Sequence, residues 1–148
     1  MQKIIMWLLG MGFSLQIQAF PCFLTMVKDN CWTNYDLTVA VTNAVTGKLI
    51  TTIVVPKGQS WTRQPFACQP ADTLSLAATF TPVFWENDKG KTYPAQHNWT
   101  FPQTIAAGDT AWNINVCYSA EFSEVPLPPD AAGNCKCDMD SIPPVKPQ

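Results

Sequence analysis

Between residues 20 and 118, apolar and polar residues alternate with a period of two over most segments, the spacing of a strand with one buried face. Residues 35–42 are the clearest instance. Tyr35, Leu37, Val39 and Val41 fall on one face, and Asp36, Thr38 and Thr42 fall on the other. Residues 48–55 follow, rich in β-branched side chains, and Gly47 before them is free to take the positive φ that a hairpin connection demands. The two segments predict an antiparallel pair. Residues 61–68 predict a further strand at a sheet border, because Pro65 has no N–H to give to a ladder. Leu74, Leu76, Ala78 and Phe80 share one face, and Trp112, Ile114 and Val116 share another, opposite Asn113, Asn115 and Cys117. A first strand is expected at residues 23–27. A hairpin with its tip at Asn87-Asp88-Lys89-Gly90 is expected between residues 83–85 and 92–93, its return strand continuing through residues 98–101. No segment shows convincing helical periodicity. The fold class predicted is all-β: an immunoglobulin-like β-sandwich of about seven antiparallel strands with a proline-rich extended C-terminal tail. A small closed barrel is the alternative.

The two flanks of this body read differently. Residues 1–19 have the form of a secretory signal peptide, with Lys3, an apolar run from Ile4 to Leu15, and Ile17 and Ala19 at the −3 and −1 positions before Phe20. The run is shorter than the roughly 20 apolar residues of a spanning helix and contains Gly10 and Gly12, so no stable membrane insertion is expected after cleavage. From residue 119 onward, Pro126, Pro128, Pro129, Pro143, Pro144 and Pro147 rule out helix and central strand. Residues 124–129 are expected to be extended, near polyproline II, and ordered before any contact. The domain plan is therefore a signal peptide at 1–19, a sandwich at 20–118, and a Cys-containing tail at 119–148. The tail either wraps its own domain or is an arm presented to another protein.

Six cysteines remain after cleavage: Cys22, Cys31, Cys68, Cys117, Cys135 and Cys137. An even number in an exported chain points to disulfides and an oxidising space, periplasmic or secreted. Cys68 and Cys117 each end a predicted strand, which favours a Cys68–Cys117 bridge. Cys22 and Cys31 would then join Cys135 and Cys137; a Cys22–Cys31 loop with a separate tail pair is the competitor.

Charge narrows the partners. In residues 20–118 the basic side chains Lys28, Lys48, Lys57, Arg63, Lys89 and Lys91 are matched by Asp29, Asp36, Asp72, Glu86, Asp88 and Asp109. The excess negative charge lies in the tail, on Glu121, Glu124, Asp130, Asp138 and Asp140 against Lys136 and Lys146. No basic patch exists to neutralise phosphates, which argues against nucleic acid as a partner.

Candidate chemistry is sparse, and no catalytic residue, cofactor-binding residue or metal ligand is assigned. His97 is the sole histidine and no Gly-x-Ser-x-Gly elbow is present, so the chain is not expected to be an enzyme. Glu86 with Glu121 or Glu124 makes an unspecific carboxylate pair. Cys135-Lys136-Cys137 has the spacing of a reducible disulfide or a soft-metal site, but Asp138 and Asp140 oppose a stabilised thiolate. Cys135, Cys137, Asp138 and Met139 lack the spacing of a zinc site, and no cofactor is expected. Trp61 and Trp99 have polar neighbours, so their indole faces are candidates for stacking on a glycan; Trp112, aligned with Ile114 and Val116, reads as core.

The segments Phe20-Pro21-Cys22-Phe23-Leu24-Thr25, Pro56-Lys57-Gly58-Gln59-Ser60-Trp61, Pro82-Val83-Phe84-Trp85 and Gly133-Asn134-Cys135-Lys136-Cys137 resemble a family of small periplasmic proteins that accompany the type IVB (Dot/Icm) secretion apparatus of intracellular gammaproteobacterial pathogens. The resemblance spans nearly the whole chain after residue 19 and brings no binding residue with it. It implies an accessory or structural protein of a cell-envelope assembly, working by contact with other envelope proteins. Partner-binding candidates are Pro126, Leu127, Pro128 and Pro129 in the tail and Trp61 and Trp99 on the body. A carbohydrate-binding module is the alternative, and a thiol–disulfide or metal-binding protein using Cys135 and Cys137 is the third reading.

Overall fold

The computed structural model describes residues 20–131 and 133–145; the expected signal peptide lies outside them. The described strands are β1 (Phe20–Lys28), β2 (Asp36–Asn43), β3 (Leu49–Val55), β4 (Trp61–Cys68), β5 (Thr73–Thr81), β6 (Tyr93–Pro94), β7 (Trp99–Thr100) and β8 (Trp112–Tyr118). They form two sheets, as a β-sandwich requires. One has the order β4-β1-β8; the other has the order β3-β2-β5-β6, with β7 also on β5. Among the described residues the only helical element is a short 3-10 turn, Glu86–Asp88.

In the five-stranded sheet the alternation decides both face and register. Leu37 lies between Val55 and Phe80, and Val39 between Ile53 and Ala78, so cross-strand rows of apolar side chains point to the same interior. Leu37, Val39, Val41, Ile53, Val55, Leu74, Leu76, Ala78 and Phe80 are all buried. A one-residue slip would turn every one of them outward. Pro65 sits on β4, which borders the other sheet, as its missing donor requires.

The expected hairpin at residues 83–93 does not form. Residues 83–85 make no strand, the tip is the 3-10 turn, and Tyr93 pairs with Ala78 of β5 instead. The reason is local: β5 has already aligned its buried face with β2, and the returning chain satisfies its backbone on the free edge of β5.

The pairing of β1 with β8 is parallel, against the all-antiparallel expectation. The chain leaves β7 at the end of the sandwich where Phe101 N–H bonds Asp72 O and Ala71 N–H bonds Pro102 O. There Trp112 packs against Phe101 and Phe20, with ring centres 5.4 and 4.7 Å away. Because β8 starts at the same end as β1, it must run the same way.

This direction also overturns the expected Cys68–Cys117 bridge. Cys68 lies opposite Phe20 and Cys117 opposite Val27, at the two ends of β1 and so roughly 20 Å apart, beyond any disulfide. The bridges are Cys22–Cys68, Cys31–Cys135 and Cys117–Cys137. Of the expected links between the amino-terminal pair and the tail, only Cys31–Cys135 occurs, and the competing Cys22–Cys31 loop does not. Cys22 and Cys68 meet on the inner face across the β1–β4 pair. Cys117 points outward from β8, where only the tail can reach it. Three disulfides fit an oxidising, extracytoplasmic environment. No described helix is long and apolar enough to cross a membrane.

Trp32 is the largest fully buried side chain, held in the turn after β1. Its ring lies 4.7 Å from Phe80, 4.9 Å from Tyr118, 5.3 Å from Tyr35 and 5.6 Å from Phe84. The Lys28 side chain is buried beside this cluster, and its ammonium donates to Tyr35 O and Pro56 O at 2.7 and 2.9 Å, tying two loops together. Burial lowers its pKa, and the Asp36 charge only partly opposes this.

Candidate contact surface

The tail is fastened to the body at successive points. Directly after β8, Phe122 forms an antiparallel bridge with Ala95, supported by Gln96 N–H to Glu121 O and Ser123 N–H to Pro94 O. Glu121 also accepts the Cys117 N–H through its carboxylate. Phe122 is buried, its ring 5.3 Å from Tyr118. Further on, Asp130 accepts the Tyr35 hydroxyl at 2.9 Å and the Asn34 amide at 3.4 Å. The Tyr35 hydrogen bond pulls the Asp130 carboxyl below its ordinary pKa, while burial and then the Asp130 bond raise that of Tyr35. Lys136 exchanges hydrogen bonds with Asn30, using its backbone N–H and C=O. Arg63 donates from Nε to Thr25 Oγ1 and from Nη2 to Pro143 O. Residues 135–143 thus lie over the outer face of the three-stranded sheet. That cover explains why Thr25 and Val27, which point away from the interior, are as buried as Leu24 and Met26.

Residues 124–129 form a short arm between the Phe122 and Asp130 anchors. Glu124 takes φ 54°, a left-handed conformation unusual for a residue with a side chain, and turns the chain out of the Phe122 bridge. Pro126, Pro128 and Pro129 then keep the segment out of helix and strand. Val125 packs on the core and Pro128 is buried, whereas Leu127 between them is 68% exposed. Pro126 is half-buried and Pro129 exposed. The tail wraps its own domain, and Leu127 is exposed on it.

The tryptophan candidates look different once placed. Trp61 and Trp99 are both half-buried. The Arg63 guanidinium lies 5.5 Å from the Trp61 ring centre and the His97 ring 4.1 Å from that of Trp99, so a sugar would compete with these neighbours for the indole faces. Among the described residues the exposed indole is Trp85, at 66%. It stands just before the 3-10 turn that replaces the expected hairpin, after the apolar Val83 and Phe84, whereas the sequence reading singled out tryptophans with polar neighbours. Trp85 stands between Val83 and Glu86, which line a cavity of about 500 Å³ together with Phe80, Pro82, Lys89 and Lys91.

Cys135 and Cys137 do not share one site. Each is bonded to a different element, and no cysteine among the described residues is free. Asp29, Cys31 and Cys135 bring ligand-type atoms within 4.8 Å of one another. Both sulfurs are engaged in the disulfide, however, and not available as the thiolates that bind metals. The Asp29 carboxylate accepts the Cys31 N–H at 2.9 Å and the Ser119 N–H and hydroxyl at 3.2 Å. This group is a buried structural knot. His97 faces Glu121 at 3.7 Å and is exposed, and among the described residues no nucleophile is bonded to it.

No protein-family model, curated protein or solved structure matches the chain.

Proposed function

We propose that the chain is an exported, immunoglobulin-like β-sandwich, released by cleavage after Ala19, that serves in the periplasm or outside the cell as a non-enzymatic accessory or structural component of an envelope assembly. It works by contact with other envelope proteins. The observation that carries this reading is Leu127, exposed on an arm held at both ends and stiffened by prolines, which presents an apolar group with little conformational entropy left to lose on binding. The resemblance to small periplasmic proteins of the type IVB secretion apparatus points the same way.

The test is site-specific photocrosslinking from position 127 in the native envelope, with exposed Thr52 on the opposite sheet as the control position. A discrete protein adduct from 127, absent from 52, is the expected result. An identical adduct pattern at both positions, in protein with three intact disulfides, would overturn the reading. Deletion of residues 119–148 is a poor substitute, because it strands Cys31 and Cys117 and uncovers Thr25, Val27 and Tyr118.

A further inference from the structure

We infer that the chain reaches its native cross-links as a substrate of a thiol–disulfide isomerase, which rearranges bonds made in order of entry into the bonds the fold requires. This rests on reading the chain as exported with its amino terminus first.

The cysteines then enter the oxidising space in the order Cys22, Cys31, Cys68, Cys117, Cys135, Cys137. An oxidised dithiol there, taking two electrons and two protons from each pair of thiols it meets, joins neighbours as they arrive. The neighbouring pairs are Cys22–Cys31, Cys68–Cys117 and Cys135–Cys137. None of them is native: the fold holds Cys22–Cys68, Cys31–Cys135 and Cys117–Cys137, at separations of 46, 104 and 20 residues. Cys31 also lies nearer to Cys22 along the chain than Cys68 does, so the wrong loop closes at the lower entropic cost.

Each wrong bond is incompatible with the three-stranded sheet or its cover. From Cys22 to Lys28 the extended β1 spans roughly 20 Å, and Cys31 lies in the turn beyond, so Cys22–Cys31 cannot close while β1 is a strand. Cys68 and Cys117 pair with opposite ends of β1. A Cys135–Cys137 bond takes both tail cysteines from Cys31 and Cys117. Because β1 is the centre of the β4-β1-β8 sheet, the misbridged chain leaves Leu24 and Met26, fully buried in the fold, without their cover, and its sulfurs open to attack.

The rearrangement needs no net oxidation. The isomerase thiolate attacks Cys22, forming a mixed disulfide and releasing Cys31 as thiolate. Cys31 attacks Cys135 and releases Cys137, Cys137 attacks Cys117 and releases Cys68, and Cys68 attacks Cys22 and releases the isomerase thiolate. Three bonds are broken and three are made. Burial sets the direction: Cys22 and Cys68 are 0% and 3% exposed once joined between the sheets, out of reach of a further thiolate.

Pulse-labelling in the native host, with free thiols alkylated at intervals and the bonds located by non-reducing peptide mapping, tests this. Cys22–Cys31 is expected early, giving way to Cys22–Cys68. In a host deprived of envelope isomerase activity that conversion should slow about tenfold or more, because uncatalysed rearrangement takes minutes to hours. In the Cys31→Ser, Cys135→Ser double variant the remaining cysteines enter in the order Cys22, Cys68, Cys117, Cys137, and neighbours now make the native bonds. Its Cys22–Cys68 bond should form equally fast with and without the isomerase. Processed, oxidised parent protein that gains Cys22–Cys68 equally fast in both hosts, or a double variant as dependent on the isomerase as the parent, would overturn the inference and leave the export reading standing. Unprocessed protein with six free thiols would overturn both.

Discussion

The five-stranded sheet carries no disulfide, whereas every disulfide touches the three-stranded sheet or the turn beside it. The difference follows from how the strands meet. β2 and β3 are joined by a tight turn and β2 and β5 by a moderate excursion, so alternation alone brings their apolar rows together. β1 instead lies between β4 and β8, one pairing antiparallel and the other parallel after most of the chain has been traversed. Closing those loops costs more entropy, and β1 needs cover on both faces. Cross-links that restrict the unfolded chain, and a tail laid over the outer face, offset both costs.

Reduction of all three bridges is the strongest way to break this contrast. Loss of each is expected to cost roughly 2–5 kcal/mol, and amide exchange should rise first in β1, β4 and β8 while β2, β3 and β5 stay protected. Uniform loss of protection would show that the two sheets do not differ in this way. A core truncation gives the opposite signature: Leu37→Ala, buried between Val55 and Phe80, should destabilise by about 2–5 kcal/mol in denaturant titration with the bridges intact.

Lys28→Met should have a smaller effect, about 1–3 kcal/mol, as Tyr35 O and Pro56 O lose their donor. The native pKa of Lys28 is lowered, so the unfolded chain holds the proton more firmly. Stability in the parent should therefore rise with pH between the native and unfolded pKa values, and the variant should lose that slope. The mildest change is Asp130→Asn. It should leave the unfolding midpoint nearly unmoved but speed amide exchange along residues 124–131. The native pKa of Asp130 is depressed, so its anchor on Tyr35 is fully present above the ordinary carboxylate pKa and is lost as pH falls through the lower native value. Exchange along the arm should report that loss in the parent and not in the variant.

Much of the candidate surface escaped the sequence for one reason: exposure is a property of neighbours. Trp61 and Trp99 have polar sequence neighbours, yet Arg63 and His97 lie against their rings. Trp85 follows an apolar pair and reads as strand, yet it stands in solvent. Trp32, set among polar loop residues, is the hub of the aromatic core, and Tyr35 nearby was the one local hint. Leu127 was legible as lying outside any helix or central strand, because three prolines surround it.

Period-two alternation determined β2, β5 and β8 with their buried faces, and the Gly47 turn determined the β2–β3 pair, because side-chain direction in a strand is set by covalent geometry. The proline content likewise kept residues 124–129 out of helix and strand. Tertiary structure decided the parallel β1–β8 pairing, the partner of each cysteine and the path of the tail. These depend on which end of the sandwich the chain occupies when it returns, a distance in space to which separation along the sequence is no guide.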